Sequence, residues 1–578
     1  MNNRFFLALV LTAIVIVATP LVFPGSVRRT SGVIAGDSSA TRRTDSAAVS
    51  ATTGSASTPS TVQAAVPAPS VGGPVTPSAV AVETTTVHTA LATYLFSTRG
   101  AVPVSVVLDS YPSHAKGTGP QTCKSGKAPA WCVQLVRAQR AFLSYRLVLA
   151  QDTIALDTIP LRVEHAPGVG QIVSYAGDVA GHALRLAYAF PGDTADGYLM
   201  RVSATVANAP QGSALIVGLP QTLLPNEADT VDDLNHLAVS YRSSRGDINN
   251  ISFDKLDSTE VRTESGPIGW VATRNKYFVV AYRAGKTPFQ AVHLQGGPRR
   301  GKIADNIIGS ATLPVGEDGS AGFEVYAGPQ NFQRLQRLGG DLDQVNPYAG
   351  FLHGVVQPFT TIVMKALLWM KRTTHLNYGW VLVLFGVLIR LVLWPLNQGA
   401  MRTSMRMQRL QPELQALQKK YADDPKKQQE AVMKVYADNG MSPFSPLMGC
   451  LPLLLPMPIL FALYQVFQNT IEFRGVPFLW LSDISLRDPY FITPVLMGLS
   501  MFVMSWVGMK NSPPNPQAKM MMYMMPVVLT VLFVNFASGL NLYYAVQNIA
   551  AIPQQWLLAR ERGKQDPAPV GTLEKRRT

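Results

Sequence analysis

Residues 379–396 read GWVLVLFGVLIRLVLWPL, an apolar stretch that contains a single charge, Arg390. At about 1.5 Å per residue, a helix of this length approaches the roughly 30 Å hydrocarbon core of a bilayer. Four more apolar stretches follow, and none of them contains a charged residue: 444–470, 491–509, 520–536 and 539–557. The C-terminal part of the chain is therefore predicted to be a five-span α-helical membrane domain over 379–557.

The composition of the whole chain agrees with a membrane protein. Of its 578 residues, 15% are charged and 47% are hydrophobic, and the mean hydropathy is +0.13. A soluble domain typically has about 25% charged residues. The net charge of +14 fits either nucleic-acid binding or basic cytoplasmic loops, so the location of the charges must decide.

Basic residues concentrate in three segments that border the predicted spans. The loop 397–443 has eight Lys and Arg, the loop 510–519 has two and no acid, and the tail 558–578 has six. The loop 471–490 has only two Arg against three acids. The positive-inside rule places the first three segments in the cytoplasm and 471–490 outside, which accounts for the basic excess without nucleic acid.

Residues 5–23 form one more apolar stretch, directly after Arg4. A cleaved signal peptide and an uncleaved signal anchor both fit; the length and the absence of a clear A-x-A site favour an anchor over 1–23. The chain then has six spans, both termini in the cytoplasm, and residues 24–378 exported. Residues 24–85, rich in Ser, Thr, Ala and Pro, predict a flexible linker.

Residues 86–340 are predicted to form a large antiparallel β-sandwich. In YLMRVSATVA (198–207), Val202, Ala204 and Val206 alternate with polar residues, which is the pattern of a half-buried strand. Eight similar runs occur in this block: TYLFST, VPVSVVL, FLSYRLVLA, ALRLAYAF, SALIVGL, HLAVSYR, KYFVVAYR and GFEVYAG. Cys123 and Cys132 also lie here, and an oxidising compartment favours a disulfide over two free thiols.

Residues 341–378 connect the predicted β domain to the first of the five C-terminal spans. Within them, 351–371 is apolar but includes His353, Gln357 and Lys365. A helix on the outer membrane surface and a further span both fit this stretch, and the polar residues favour the surface helix.

Arg390 is a candidate functional residue because a charge inside the membrane is costly. It also lies seven residues from Asn397, so its side chain could extend to the inner interface instead. A third interpretation places it in a wet cavity open to the cytoplasm. The five spans contain no Asp, Glu or His, which argues against proton-coupled transport and intramembrane proteolysis. We expect no enzyme activity, no cofactor and no metal.

The loop 398–440 is predicted to be a helical hairpin. Asp424 followed by Pro425 has the pattern of an N-cap and first helical residue. Two apolar stripes flank this start: Leu410, Leu414, Leu417 and Tyr421, then Val432, Val435 and Tyr436. The hairpin is either a solvated cap over the bundle or a docking surface for nascent chains or ribosomal RNA.

These segments together resemble the YidC membrane protein insertases of Gram-negative bacteria, relatives of the mitochondrial Oxa and chloroplast Alb proteins. VLIRLVLWPL (387–396) looks like the family's second span, and MRMQRLQPELQALQKKY like the first half of its hairpin. Three further stretches resemble the third, fourth and sixth spans: GCLPLLLPMPILFALY (449–464), DPYFITPVLMGLSMF (488–502) and SGLNLYYAVQN (538–548). GWVATRNKYFVVAY (269–282) resembles the family's periplasmic domain. That resemblance implies a β super-sandwich for the periplasmic domain of this chain.

The resemblance implies a mechanism. The C-terminal spans would enclose a hydrophilic groove open to the cytoplasm and to lipid, in which Arg390 binds the polar part of a substrate. Tyr543 and Tyr544 would line the groove, and Met457, Pro458 and Phe461 would form an apolar slide. Implied partners are nascent membrane proteins, the Sec translocon (SecYEG and SecDF), membrane lipids, and the ribosome through the hairpin and the basic tail.

Two other functions are weighed against the insertase. A channel or solute transporter would need a pore open to both sides. A membrane-anchored carbohydrate-binding protein would need converging carboxylates in the β domain, for which Asp254, Asp257 and Glu260 are the candidates. Of these three functions, we predict that of an inner-membrane insertase and chaperone.

Overall fold

The computed structural model describes most of the chain from residue 82 onward. The described residues are 82–115, 123, 131–136, 142–150, 152–165, 172–191, 197–243, 245–300, 303–304, 306–346, 353–395, 398, 410, 413–414, 416–422, 424–439, 457–510 and 516–563. Three predictions lie wholly or largely outside them: the signal anchor 1–23, the linker 24–85, and the basic tail beyond 563.

The described part of residues 84–329 contains 21 strands. They are β1 Thr84–His88, β2 Ala92–Ser97, β3 Val102–Pro112, β4 Cys132–Val136, β5 Ser144–Leu149, β6 Asp152–Ala155, β7 Arg162–His165, β8 Ile172–Val179, β9 His182–Ala189, β10 Leu199–Val206, β11 Ala214–Gly218, β12 Ala238–Arg242, β13 Ile248–Ser252, β14 Arg262–Ile268, β15 Trp270–Arg274, β16 Phe278–Ala284, β17 Phe289–Gly296, β18 Arg299–Arg300, β19 Ile303–Ala304, β20 Ile307–Pro314 and β21 Ser320–Pro329.

These strands form two large sheets, a smaller one and a short ribbon. The order is β13-β12-β15-β16-β21-β10-β9-β8-β7 in the nine-stranded sheet and β14-β17-β20-β11-β5-β6 in the six-stranded sheet. Strands β1 to β4 form the third sheet in chain order, and β18 pairs with β19. The pairs are antiparallel, as predicted.

The two large sheets pack face to face through aromatic side chains. Tyr188 of the nine-stranded sheet donates to the hydroxyl of Tyr145 in the six-stranded sheet, at 3.1 Å. Tyr282 donates to the Gly218 carbonyl across the same gap at 3.2 Å. Phe323 contacts both Tyr145 and Phe289 from the opposite sheet. Because buried tyrosine hydroxyls need partners, these bonds fix how the sheets face each other.

The nine apolar runs identified in the sequence all fall on strands. Strand β10 shows the predicted alternation, with Val202, Ala204 and Val206 buried and the intervening residues exposed. Strand β1 begins at Thr84, inside the segment predicted as linker. The structure joins Cys123 and Cys132 in a disulfide, with their Cα atoms 5.1 Å apart.

The described helices follow and interrupt the β domain. They are α1 Thr230–Asn235, α2 Phe332–Leu338, α3 His353–Thr374, α4 Tyr378–Val392, α5 Pro425–Asp438, α6 Met457–Asn469, α7 Ile492–Met509, α8 Pro516–Phe533 and α9 Ser538–Gly563, with short 3-10 turns at Leu156–Thr158, Phe253–Lys255, Leu342–Gln344 and Ile471–Phe473.

Helix α9 is the central helix of the described bundle. It packs against α4 and α7, and α8 packs against α7. Helix α6 packs mainly against α3. Each of the five predicted spans overlaps one of these helices, although residues 444–456 lie outside the described part.

By length and composition, α7 is the one described helix that can cross a membrane unaided. The segments Val356–Thr374 and Tyr378–Val392 pass the same test only together, and they meet at a bend of 117°. Lys519–Phe533 is a shorter apolar helix. The structure therefore shows a helical, apolar C-terminal part, and the count of six spans stays a prediction.

The predicted start of the second hairpin helix is confirmed. The Asp424 carboxylate accepts from the backbone N–H of Lys427 at 3.2 Å, and Pro425 is the first residue of α5. Val435 and Tyr436 of the predicted apolar stripe are buried.

Candidate functional site

Helices α4 and α9 approach closely where the candidate site lies. The Asn377 side chain caps α4 by accepting from the Gly379 N–H at 2.9 Å. A Cβ atom at Gly386 would lie 3.0 Å from Val546 Cγ1, so this glycine permits the close approach. One turn further along α4, Arg390 faces α9.

Arg390 is half-buried and its guanidinium is bound by an amide. Its Nη2 donates to Gln554 Oε1 at 2.7 Å. The other end of that amide, Gln554 Nε2, donates to the Trp394 carbonyl at 3.3 Å. Arg390 Nε is buried without a hydrogen-bond partner in the described structure. The Arg390 guanidinium therefore has a neutral hydrogen-bond partner, the Gln554 amide, and its Nε–H donor has no acceptor among the described residues.

Tyr543 lies on the side of α9 that faces α4. Its ring centre is 6.1 Å from that of Phe385, and its hydroxyl accepts from Gln547 Nε2 at 3.1 Å. Gln547 also donates to the Gly386 carbonyl at 2.9 Å. Tyr543 thus belongs to the same α4–α9 face as Arg390.

Tyr544 points elsewhere. Its ring centre lies 5.4 Å from that of Phe533, at the end of α8. Neighbouring positions on a helix are about 100° apart, so Tyr543 and Tyr544 face different helices. The structure thus brings Tyr543, rather than both tyrosines, to the face that carries Arg390.

The three residues expected to form an apolar slide lie on α6. Met457 and Pro458 begin that helix, and their side chains lie outside the described part. Phe461 is half-buried. The described turns of α6 pack mainly against α3, and they also contact α9.

Two glutamines at the site were not identified from the sequence. Gln547 and Gln554 are seven residues apart on α9, a spacing that places both on one helix face. Both contact α4. Asn541, Asn548 and Gln555 recur on α9 at the same spacing, so the sequence has no signal that distinguishes this pair from the other amides.

A second charged cluster lies where the loop 471–490 meets the β domain. Arg474 Nε donates to Glu227 Oε1 at 2.6 Å, and its Nη2 donates to the Pro112 carbonyl at 2.9 Å. Burial opposes ionisation of Glu227, but a hydrogen bond from His114 and the charge of Arg474 bring its pKa below the usual value.

Glu472 anchors the same loop to α2. Its Oε1 accepts from Phe332 N–H at 3.1 Å and from Asn331 Nδ2 at 3.2 Å. Its Oε2 is buried, and no residue in the described part of the chain forms a hydrogen bond with it. Burial raises the pKa of Glu472 to about 7, and it likewise raises that of Asp233, near Glu227, to about 7.

The candidate acids of the carbohydrate hypothesis lie on the exposed surface of the β domain. Asp254, Asp257 and Glu260 are exposed, and Asp257 Oδ1 accepts from the Thr259 backbone and hydroxyl within its own loop. Among the described residues, no group of three or more His, Cys, Asp or Glu could bind a metal ion.

Two family profiles match the chain, one over each part. The profile described as "YidC periplasmic domain" matches residues 84–362. The profile described as "60Kd inner membrane protein" matches residues 369–565. The two matches meet near α3 and together include both the β domain and the helical part.

Curated relatives agree with the profiles. "Membrane protein insertase YidC" of Stutzerimonas stutzeri is 31% identical over 58% of this chain and 59% of its own length. The protein of the same name from Burkholderia cenocepacia is 34% identical over 55% of this chain and 56% of its own. The chain thus spans less than two thirds of the length of these relatives.

A crystal structure of an active YidC insertase, with its first transmembrane domain resolved, aligns with 82% of this chain and 92% of that one, at 17% identity and a TM-score of 0.33. The family assignment rests on the sequence matches. The β-rich domain and the apolar helical part, in this order and with both profiles matched, show that the chain belongs to the YidC family of inner-membrane proteins.

Proposed function

We propose that this protein inserts integral membrane proteins into the inner membrane and assists their folding, through a polar groove beside Arg390. The observation that carries the proposal is the state of Arg390. It is the single charge in the predicted C-terminal spans, it is half-buried on α4 where that helix faces α9, and its buried Nε has no hydrogen-bond partner among the described residues.

A fixed cation in a partly desolvated site attracts acidic or polar segments more strongly than it would in water. A polar groove also shortens the apolar distance that an exported segment must cross. When the apolar segment of the substrate leaves for the lipid, the burial of its surface supplies the driving force.

The proposed topology has six spans, both termini in the cytoplasm, and residues 24–378 in the periplasm. Contacts between the loop 471–490 and the β domain support it, because Arg474 and Glu472 bind Glu227 and Asn331 directly. These contacts support a topology in which the loop that the charge rule predicts to be outside lies on the same side as the β domain.

The proposed partners are nascent membrane proteins, the Sec translocon and membrane lipids. The ribosome is a further proposed partner, through the hairpin 398–440 and the basic tail 558–578. The exposure of Lys426, Lys427 and Lys434 on α5 supports this contact, since RNA binds clustered basic residues. Met457, Pro458 and Phe461 on α6, with Tyr544, are proposed to line the route of the apolar segment.

A depletion-rescue experiment tests the proposal. Cells depleted of their own insertase receive this chain or the Arg390→Ala variant, and protease accessibility reports the insertion of a small phage coat protein with a short exported tail. We expect rescue by the wild type and a loss with Arg390→Ala at equal membrane levels.

The Arg262→Ala variant is the matched control. Arg262 is an exposed arginine of β14, outside the helical part and every proposed partner contact, so its removal should not affect insertion. Rescue by Arg390→Ala would remove Arg390 from the mechanism. If the wild type is stable in the membrane and does not rescue, the insertase proposal is wrong.

A further inference from the structure

Gln554 occupies a position where its amide has only one workable orientation. It is buried, with 1% of its surface exposed. The Trp394 carbonyl can only accept, so it requires the Nε2 end of the amide, which donates to it at 3.3 Å. The Oε1 end must then face Arg390, to which it is bonded at 2.7 Å. A backbone carbonyl therefore aims the amide oxygen at the guanidinium.

The residue type matters because an amide accepts a hydrogen bond without carrying charge. The five predicted C-terminal spans contain no Asp or Glu, so none of their side chains can neutralise Arg390. A carboxylate at the position of Gln554 would form a charge-assisted pair with the guanidinium and cancel its attraction for acidic segments. A carboxylate also has no proton to offer the Trp394 carbonyl.

The separation of α4 and α9 at this point is fixed independently of Gln554. Gly386 packs against Val546, and Gln547 donates to the Gly386 carbonyl at 2.9 Å. These contacts lie one turn or more from Arg390. A substitution of Gln554 therefore changes the hydrogen bond to the Arg390 guanidinium and leaves the helix contact at Gly386 in place.

We propose that Gln554 is a positioning residue for Arg390, which fixes the guanidinium in the groove while leaving its positive charge available to acidic substrate segments. This inference rests on the proposed insertase function and deepens it, because it makes selectivity for acidic exported segments a property of the Arg390–Gln554 pair. The role is one of orientation and charge, and Gln554 itself need not contact the substrate.

The test compares two substrates that differ only in charge. A small membrane protein is prepared with an exported tail that carries two Asp or, at the same positions, two Asn. Protease accessibility gives the ratio of insertion of the Asp substrate to the Asn substrate. Wild type, Arg390→Gln and Gln554→Glu are compared at equal membrane levels.

We expect Gln554→Glu to lower the insertion of the Asp substrate about tenfold, as an ion pair replaces the neutral bond, and to leave the Asn substrate nearly unchanged. Arg390→Gln should give the same ratio of Asp-substrate to Asn-substrate insertion as Gln554→Glu. Gln555→Glu adds the same charge to the next residue, whose side chain points to Gly508 of α7, and it should retain the wild-type ratio.

A purely structural role would lower the insertion of both substrates together, so an unchanged ratio in Gln554→Glu overturns the inference. If that variant does not accumulate, Gln554→Met removes the acceptor at similar volume, and it too must lower the ratio. Wild-type failure with both substrates would overturn the proposed function and this inference with it. Wild-type success with an unchanged Gln554→Glu ratio would overturn the role of Gln554 alone.

Discussion

Arg474 and Glu227 form a buried ion pair between the loop 471–490 and the β domain, with Nε and Oε1 2.6 Å apart. The two side chains retain only 3% and 7% of their exposure. Arg474 also lies over the Phe278 ring and donates to the Pro112 carbonyl. A loop between two helices of the membrane part is thus fixed to the periplasmic domain by charge, hydrogen bonding and stacking.

Arg474→Ala should release this junction. Removal of Arg474 leaves His114 as the remaining side-chain partner of the buried Glu227 carboxylate, and breaking a buried ion pair costs up to about 3–5 kcal/mol. We expect faster amide hydrogen exchange in the loop 471–490 and at the end of β3. Arg487→Ala is the control, since Arg487 is an exposed arginine of the same loop. Equal exchange rates in both variants would show that the ion pair does not hold the junction.

The junction should also respond to pH through Glu472. Burial raises its pKa to about 7, compared with about 4.3 for an unperturbed glutamate. Between these values the unfolded chain is ionised while the folded protein keeps the proton, so the contribution of Glu472 to stability declines as the pH rises from about 4.3 to 7 and stays low above it.

The measurement is the melting temperature between pH 5 and pH 8, for the wild type and Glu472→Gln. Asp233 changes in the same direction as Glu472, whereas burial lowers the pKa of His236 to about 4 and opposes both. The difference between the two curves isolates Glu472. The melting temperature of the wild type, relative to that of Glu472→Gln, should be lowest at high pH. A difference that does not vary with pH would contradict the raised pKa of Glu472.

The Cys123–Cys132 disulfide should stabilise the same edge of the β domain. It closes a loop with a sequence separation of nine, for which chain entropy predicts about 2–3 kcal/mol. Cys132 pairs with Pro112 in the sheet, and the Pro112 carbonyl binds Arg474. We therefore expect Cys123→Ser/Cys132→Ser to lower the melting temperature and to speed up exchange in the loop 471–490.

Cys450→Ser is the matched control, because it removes a cysteine and keeps the pair. Addition of a reductant should reproduce the double substitution in the wild type and have no effect on the double variant. A reductant effect of equal size on both proteins would assign the change to another cause.

Gly379→Ala should destabilise the contact between α4 and the loop 471–490. A Cβ atom there would overlap the Phe478 ring, which is buried, and forced overpacking of this kind costs about 1–3 kcal/mol. Thermal unfolding in a fixed lipid or detergent environment measures the change. Gly269→Ala is the control, since nothing lies within 4 Å of its added Cβ, and equal melting temperatures for the two variants would contradict the prediction.

Much of the architecture could be predicted because its signals are local. The nine apolar runs form strands and Asp424 caps α5, as predicted. Both features could be predicted because alternation and capping depend on residues that are close in sequence. Strands with polar faces were missed. Strand β13, INNIS, and strand β14, RTESGPI, show half-buried or mixed patterns that no apolar period reveals.

The site could be predicted only at its single charged residue. Arg390 is conspicuous in sequence because a charge in an apolar stretch is rare. Its partner Gln554 is 164 positions away and is one of several amides on α9. The sequence does not distinguish Tyr543 from Tyr544 as candidates. Only the packing of α9 against its neighbouring helices shows that the two side chains face different helices.

The amino-acid sequence is enough to show which segments are apolar, where the positive charges lie and that Arg390 is an isolated cation, because these are properties of composition and short-range period. Only the folded structure shows that Gln554 faces Arg390 and that Arg474 contacts Glu227. Such pairings depend on how distant segments pack against each other, and no local pattern of residues encodes that geometry.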